Sequence, residues 1–223
     1  MIFINKPWLS PNIKLRRRIK QTAPSPSLSL KFYTIDVEPM LKVKYFNLME
    51  DIIINTRLYF FNLTGIVIDY YEAYSWGSPL RFRSPKETPP IGPLVCGRAT
   101  GNMDAAMLAA HGYMKGGGIK YGIFFTQSQF NGSGINPTLG CTYGYSKDNF
   151  IVKFSFITAQ ALLERNKYIL AHEIGHALGL GHVSDKNNLM YSGPLSLDPP
   201  PSLTASQINM ARKSPLLSMY GSN

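Results

Sequence analysis

The stretch "HEIGHALGLGH", residues 172–182, constrains the fold of this chain more than any other part of its sequence, and it holds three of the four histidines. On an α-helix His172 and His176 lie about 40° apart around the axis and about 6 Å apart along it, so their imidazoles can bind one ion. If the helix continued, His182 would lie about 120° around from His176 and about 9 Å further on. A site shared by all three histidines therefore requires the helix to end before His182.

Gly179 stands where this break is needed, because glycine can adopt the left-handed conformation that ends a helix without steric cost. Three neutral imidazoles with an open fourth position are typical of a catalytic zinc site. Glu173 is the acid nearest to them in sequence and lies beside the ligand pair. The pattern predicts a zinc ion on His172, His176 and His182, with Glu173 as the general base and then acid that moves the proton of a metal-activated water.

Together with "NNLMYSG", which follows it, this stretch resembles the extended zinc-binding motif of the metzincin metallopeptidases, in their matrixin branch. Met190, eight residues after His182, matches the methionine turn that lies beneath the metal in that family. The resemblance implies an α+β, metzincin-like (zincin) fold: a twisted mixed sheet, a long N-terminal helix, an active-site helix and a small C-terminal subdomain ending in a helix. It also implies a zinc-dependent endopeptidase that cuts polypeptides.

Further expectations follow from the same resemblance. An edge strand in the 137–146 region would bind the substrate backbone by strand addition, and residues 192–203 would form the wall of the pocket beyond the scissile bond. A monomer is expected, secreted or extracellular, although the N-terminus "MIFINKPWLS" shows no signal-peptide pattern. No apolar run is long enough to span a membrane.

Some features depart from the matrixin pattern. A zinc-blocking propeptide cysteine is not found near the N-terminus, since Cys96 lies inside the domain. His111 is the one remaining histidine, so a second structural zinc is not expected and His111 is assigned to a loop or to packing. Calcium is possible, but too few carboxylates cluster to place a site. Tyr191 follows Met190 directly, and we assign it a structural role.

The two cysteines leave several alternatives open. Cys96 and Cys141 could form a disulfide, remain free thiols or be structural, and a single pair decides nothing about the compartment.

The formal net charge of +10 raises the possibility of a nucleic-acid partner. Residues 1–30 contain no Asp or Glu, whereas six of the Lys and Arg residues lie between Lys6 and Lys20. We interpret residues 1–30 as a flexible basic arm and residues 31–223 as one catalytic domain, with an upper part over 31–181 and a lower part over 182–223. Because the excess charge is concentrated in the arm, no specific nucleic-acid partner is expected.

Hydrophobic patterning predicts the order of the elements. A strand is expected first, followed by a long helix that presents Leu48, Ile52, Ile53, Leu58 and Phe61 on its apolar face and ends at Gly65. A surface connection with a short helix near 103–113 separates this unit from later strands and from the helix that carries the histidines. The last helix should start at a capping box of Thr204 and Gln207. The predicted ranges are 31–37, 66–74, 120–127, 137–146 and 149–157 for strands, and 40–63 and 166–179 for helices.

The main alternative function is a catalytically silent peptide-binding module on the same fold. An intact Glu173 argues against it, because loss of that carboxylate is the simplest route to an inactive protein.

Overall fold

A computed structural model of the chain describes residues 25–35, 42–75, 121–126, 139–147, 150–158, 160–161, 167–195 and 198–220. These residues form six strands and three helices, which confirms the predicted α+β class. The strands are β1 (Ser25–Ile35), β2 (Val67–Ser75), β3 (Tyr121–Thr126), β4 (Gly140–Lys147), β5 (Phe150–Thr158) and β6 (Leu217–Tyr220), and the helices are α1 (Lys42–Thr64), α2 (Ile169–Ala177) and α3 (Ala205–Arg212).

The strands form one mixed sheet in the order β2-β1-β3-β5-β4, with β6 paired to β1. Strands β2, β1, β3 and β5 run parallel, whereas β4 is antiparallel to β5 and β6 is antiparallel to β1. Helices α1 and α2 pack against each other, α1 also against β2, and α2 also against β4 and β5. Strand β4 is thus the last strand of the described sheet and lies beside the histidine-bearing helix, where the predicted edge strand was expected.

Strand β1 starts earlier than the sequence indicated. The Ser- and Pro-rich composition around residue 25 suggested the end of a flexible arm, but Leu28 and Leu30 are fully buried and residues 25–30 belong to the sheet. The alternation of Ser27, Leu28, Ser29 and Leu30 is a strand pattern that the composition concealed. Strand β1 therefore includes residues 25–30, which the sequence assigned to the arm, while residues 1–24, with their basic cluster, lie outside the described residues.

Helix α1 lies within two residues of its predicted bounds at both ends, but one residue of its predicted apolar face is wrong. Among residues 48–64 the buried stripe has mostly three- and four-residue steps and consists of Met49, Ile52, Ile53, Thr56, Phe60 and Thr64. Leu58 lies about 200° around the helix from Thr56 and is 57% exposed. The helix ends at Gly65, whose φ of 70° is in the left-handed region, as expected.

The C-terminal region contains the predicted helix and one strand that was not predicted. Helix α3 begins with a capping box in which the Thr204 side chain accepts from the backbone of Gln207 and the Gln207 side chain accepts from the backbone of Thr204. Strand β6 then pairs along the first residues of β1. The end of the chain, placed in the lower part by the sequence, thereby returns to the main sheet.

The remaining predicted elements differ from the structure by a few residues or fall outside it. Strands β2, β3 and β5 each start one residue after their predicted positions, and β4 starts at Gly140. The short helix predicted near 103–113 lies outside the described residues. No helix in the described ranges is both long and apolar enough to cross a membrane.

Replacing Leu28 tests whether residues 25–30 belong to the folded domain. Leu28→Ala removes a fully buried side chain, so we expect it to lower the free energy of unfolding by about 2–5 kcal/mol. The matched variant Leu58→Ala removes the same atoms from an exposed position and should change it by less than about 0.5 kcal/mol. Urea unfolding measures both, and equal stability of the two variants would show that β1 does not begin before residue 31.

Candidate metal centre

Helix α2 contains His172 and His176 and lies in the interior of the protein. Eight of its nine residues are buried, including His172 and Glu173. A helix that is apolar on nearly all sides is stable only when it is enclosed, and here the sheet and α1 enclose it. Its position in the core fixes the directions in which the side chains of His172, Glu173 and His176 can point.

Helix α2 is terminated by a Schellman motif just after Ala177, and Gly179 is the glycine that this motif commonly contains. The N–H of Leu180 donates to the carbonyl of Gly175 at 2.9 Å, and the N–H of Gly179 donates to the carbonyl of His176 at 3.0 Å. Gly179 has a φ of 101°, which a residue with a Cβ rarely adopts. The chain turns out of the helix at this point, in the place where the sequence requires the break.

The turn brings His182 to the two helical histidines. The Nε2 atom of His176 lies 3.0 Å from that of His172 and 3.1 Å from that of His182, and the third pair is 3.3 Å apart. A tetrahedral zinc ion with bonds of about 2.0–2.1 Å separates its ligand nitrogens by about 3.4 Å. The three nitrogens therefore form a triangle of the size that one zinc ion needs.

Backbone carbonyls orient two of the three rings. The Nδ1 atom of His172 lies 2.6 Å from the carbonyl oxygen of Leu189, and that of His176 lies 2.8 Å from the carbonyl oxygen of Leu180. A carbonyl can only accept, so both Nδ1 atoms carry the proton and both Nε2 atoms of the neutral rings present lone pairs. Lone pairs facing each other at 3.0 Å repel unless a cation lies between them, so the donor set fits a metal ion.

Burial keeps these rings in the neutral form that binds metal. The pKa of His172 is lowered to about 4, mainly by loss of hydration; the hydrogen bond to Leu189 opposes this shift, and the neighbouring rings of His176 and His182 contribute to it. Burial also lowers the pKa of His176. At neutral pH both rings are thus ready to coordinate a metal without first losing a proton.

The carboxylate of Glu173 is 2% exposed and lies against strand β4. Thr142 donates a hydrogen bond from Oγ1 to Oε2 of Glu173 at 2.5 Å. On the other side, a Cβ added to Gly140 would lie 2.5 Å from Oε1 of Glu173, so only glycine leaves room for this carboxylate. Burial raises the pKa of Glu173 to about 8, and the hydrogen bond from Thr142 opposes that rise.

Met190 lies directly beneath the histidine helix. It is fully buried, and a Cβ added to Gly175 would lie 2.5 Å from its Sδ atom. The glycine within the HEIGH segment therefore lets the methionine turn approach α2. His182 connects to the same turn through the next residue, because the N–H of Val183 donates to the carbonyl of Met190 at 3.0 Å.

Asn188 connects the methionine turn to helix α3. Its Oδ1 accepts from the N–H of Met190 at 2.9 Å, and its Nδ2 donates to Oε1 of Gln207 at 2.9 Å. Gln207 thus serves both the cap of α3 and the methionine turn. The sequence indicated its capping role but gave no sign of its contact with Asn188.

The segment after the turn is anchored to α1. Tyr59 donates from its hydroxyl to the carbonyl of Pro201, and its ring packs on Tyr168 at the start of α2 with centroids 4.8 Å apart. Tyr191 packs against Gly193, where a Cβ would lie 2.6 Å from its ring. Residues 196–197 of the predicted pocket wall lie outside the described residues.

Of the two cysteines, the structure describes one. Cys141, on β4 next to Thr142, is disulfide-bonded. Cys96, the other cysteine of the chain, lies outside the described residues, as does His111, so the Cys96–Cys141 pairing stays a prediction.

Comparison with protein families connects this geometry to the sequence motif. The family described as Matrixin, Peptidase M10, matches residues 118–199, which include the three histidines, Glu173 and Met190. The matrixin resemblance is confirmed. The match covers less than half of the chain and supports a zinc metallopeptidase in general terms.

Solved structures resemble this chain at low sequence identity. Metalloproteinase-II from Bacteroides fragilis is 18% identical and has a TM-score of 0.54, with 87% of this chain and 55% of that chain covered. This chain therefore spans little more than half of that protein. Archaemetzincin from Methanopyrus kandleri is 20% identical with a TM-score of 0.45, and 85% of this chain and 88% of that chain are covered. No curated protein matches the sequence significantly.

Gly175 provides a test of the contact between helix and methionine turn. In Gly175→Ala the new methyl group overlaps Met190, so we expect the free energy of unfolding to fall by about 1–3 kcal/mol. Gly181→Ala is the matched control, because a Cβ there meets nothing within 4 Å, and its effect should stay below about 1 kcal/mol. Urea unfolding with zinc in excess compares the two, and a Gly175→Ala protein as stable as the parent would contradict the close packing of Met190.

Proposed function

We propose that this chain is a zinc-dependent endopeptidase that hydrolyses peptide bonds in extended polypeptides. One observation carries the proposal: three histidine Nε2 atoms lie within 3.3 Å of one another, and the residue that follows the first histidine is a buried glutamate. Zinc bound there would act as a Lewis acid that prepares a peptide carbonyl for attack by water. Because α2 holds His172, His176 and Glu173 together, the metal ligands and the carboxylate have fixed relative positions.

Glu173 is assigned both proton transfers. Its carboxylate accepts the proton of the attacking water as general base and then donates it to the leaving amine as general acid. Its enclosure between α2 and β4 supports this role, because a carboxylate with restricted motion needs little reorganisation between the two steps. A silent binding module would have no use for a buried carboxylate at this position.

Strand β4 would align the substrate. It pairs with β5 along one side and, among the described strands, is the last of the sheet. An extended peptide can add to such an edge through backbone hydrogen bonds. Because Gly140 and Thr142 of this strand contact Glu173, a peptide lying along β4 would pass close to the catalytic carboxylate.

We further propose that the protein acts in a secreted or extracellular setting. This proposal rests on the resemblance to the matrixin motif alone.

Removal of the metal and replacement of Glu173 test the proposed activity. We expect a zinc chelator to abolish cleavage of an unfolded protein substrate and added zinc to restore it. Glu173→Gln should lower kcat/KM by about 100-fold or more and leave the zinc content unchanged, because this side chain is not a ligand. Cleavage rates on a fluorogenic unfolded protein, with zinc measured in parallel, give both results.

The control is Asp51→Asn, which makes the same change from carboxylate to amide at an exposed position of α1 and should leave kcat/KM unaltered. Cleavage that survives both chelation and Glu173→Gln would sink the mechanism. Peptide binding by a zinc-loaded parent that shows no cleavage would instead favour the silent binding module.

A further inference from the structure

A chain of hydroxyl groups crosses the sheet and ends on Glu173. The hydroxyl of Tyr121 lies 2.6 Å from Oγ of Ser155, and that Oγ lies 2.6 Å from Oγ1 of Thr142. Thr142 in turn donates to Oε2 of Glu173 at 2.5 Å. The chain thus passes from β3 through β5 and β4 to α2.

The pairing of the strands brings these hydroxyls together on one face of the sheet. Thr142 and Ser155 are direct cross-strand partners of β4 and β5. On the other side of β5, Ser155 is paired with Ile123, and Tyr121 lies two residues before it on the same face of β3. A shift of one residue in either register would break the chain, so the sheet itself determines where the Thr142 hydroxyl is held.

The direction of the hydrogen bonds follows from the number of protons. Each hydroxyl has one proton to donate. In the ionised form that the general-base role requires, the Glu173 carboxylate can only accept, so Thr142 donates to Oε2 and thereby accepts from Ser155. Ser155 then accepts from Tyr121, which is fully buried and, among the described residues, begins the chain. With this direction, each hydroxyl proton of the chain points towards the carboxylate of Glu173.

The two oxygens of Glu173 have different surroundings. Oε2 is held by Thr142, whereas Oε1 lies against Gly140, two residues earlier on the same face of β4. Because Gly140 has no side chain, the strand leaves room for Oε1 at that position. Removing the Thr142 hydroxyl would therefore remove the hydrogen bond that holds Oε2 of Glu173.

We propose that Thr142 is a positioning residue that fixes the orientation of the Glu173 carboxylate, with Ser155 and Tyr121 supporting it from within the sheet. The inference rests on the proposed peptidase function and adds three residues to it. None of the three touches substrate or metal in this role, since they act through Glu173.

Thr142→Val and Thr142→Ser separate positioning from packing. Valine keeps the shape of threonine without the hydroxyl, so we expect kcat to fall by about 10- to 100-fold, with KM and zinc content unchanged. Serine keeps the hydroxyl and should restore most of kcat. Tyr121→Phe removes only the start of the chain and should lower kcat in the same direction by a smaller factor.

Thr56→Val is the matched control, because it makes the same substitution at a buried residue of α1 whose hydroxyl has no hydrogen-bond partner within the described residues. It should leave kcat at the parental value. A Thr142→Val protein with parental kcat, or valine and serine variants impaired to the same extent, would overturn the positioning role. If the zinc-loaded parent itself were inactive, the proposed function would fail instead.

Measurements of protein stability test the contact between Thr142 and Glu173 independently of catalysis. Urea unfolding midpoints of Thr142→Val, Glu173→Ala and the double variant form a cycle. We expect the double variant's midpoint to fall by less than the sum of the two single shifts, because each single change removes the same hydrogen bond. Additive shifts would show that Thr142 and Glu173 are not coupled and would overturn the proposal whether or not the chain cleaves peptides.

Discussion

The metal centre depends on two hydrogen bonds from imidazole to backbone carbonyl. The bonds from His172 to Leu189 and from His176 to Leu180 place both Nδ1 protons away from the centre. They leave lone pairs pointing at each other across 3.0 Å, an arrangement that is favourable only around a cation. Such outer hydrogen bonds fix the tautomer and the ring orientation of metal-binding histidines.

Each of those carbonyls is presented by a different part of the chain. Leu180 belongs to the turn that ends α2, whose geometry requires glycine at position 179. Leu189 belongs to the methionine turn, which Asn188 and Gln207 tie to the last helix. The close approach of that turn to α2 depends on Gly175. The candidate metal ligands are thus oriented by residues outside the histidine triad.

Much of the site could be predicted from the sequence because its spacing is local. The three histidines, Glu173 and Gly179 lie within eleven residues, so helical geometry and a helix end at glycine are enough to relate them. The contacts of Thr142 and Gly140 with Glu173 could not be predicted in this way, since they depend on the register of β4 and on how the sheet packs against α2. Prediction from sequence also failed in strand β1 and on the apolar face of α1. Composition suggested a flexible arm at Leu28, which is buried, and periodicity placed Leu58 on the buried face of α1, although its side chain is exposed.

The central claim is that His172, His176 and His182 form one zinc site with an open fourth position. X-ray absorption at the zinc edge, on the chain loaded with one equivalent of zinc, tests it most directly. We expect three imidazole nitrogens and one oxygen at about 2.0–2.1 Å, and the loss of one imidazole in His182→Ala. Failure to retain zinc, a sulfur ligand, or an unchanged spectrum in His182→Ala would contradict it.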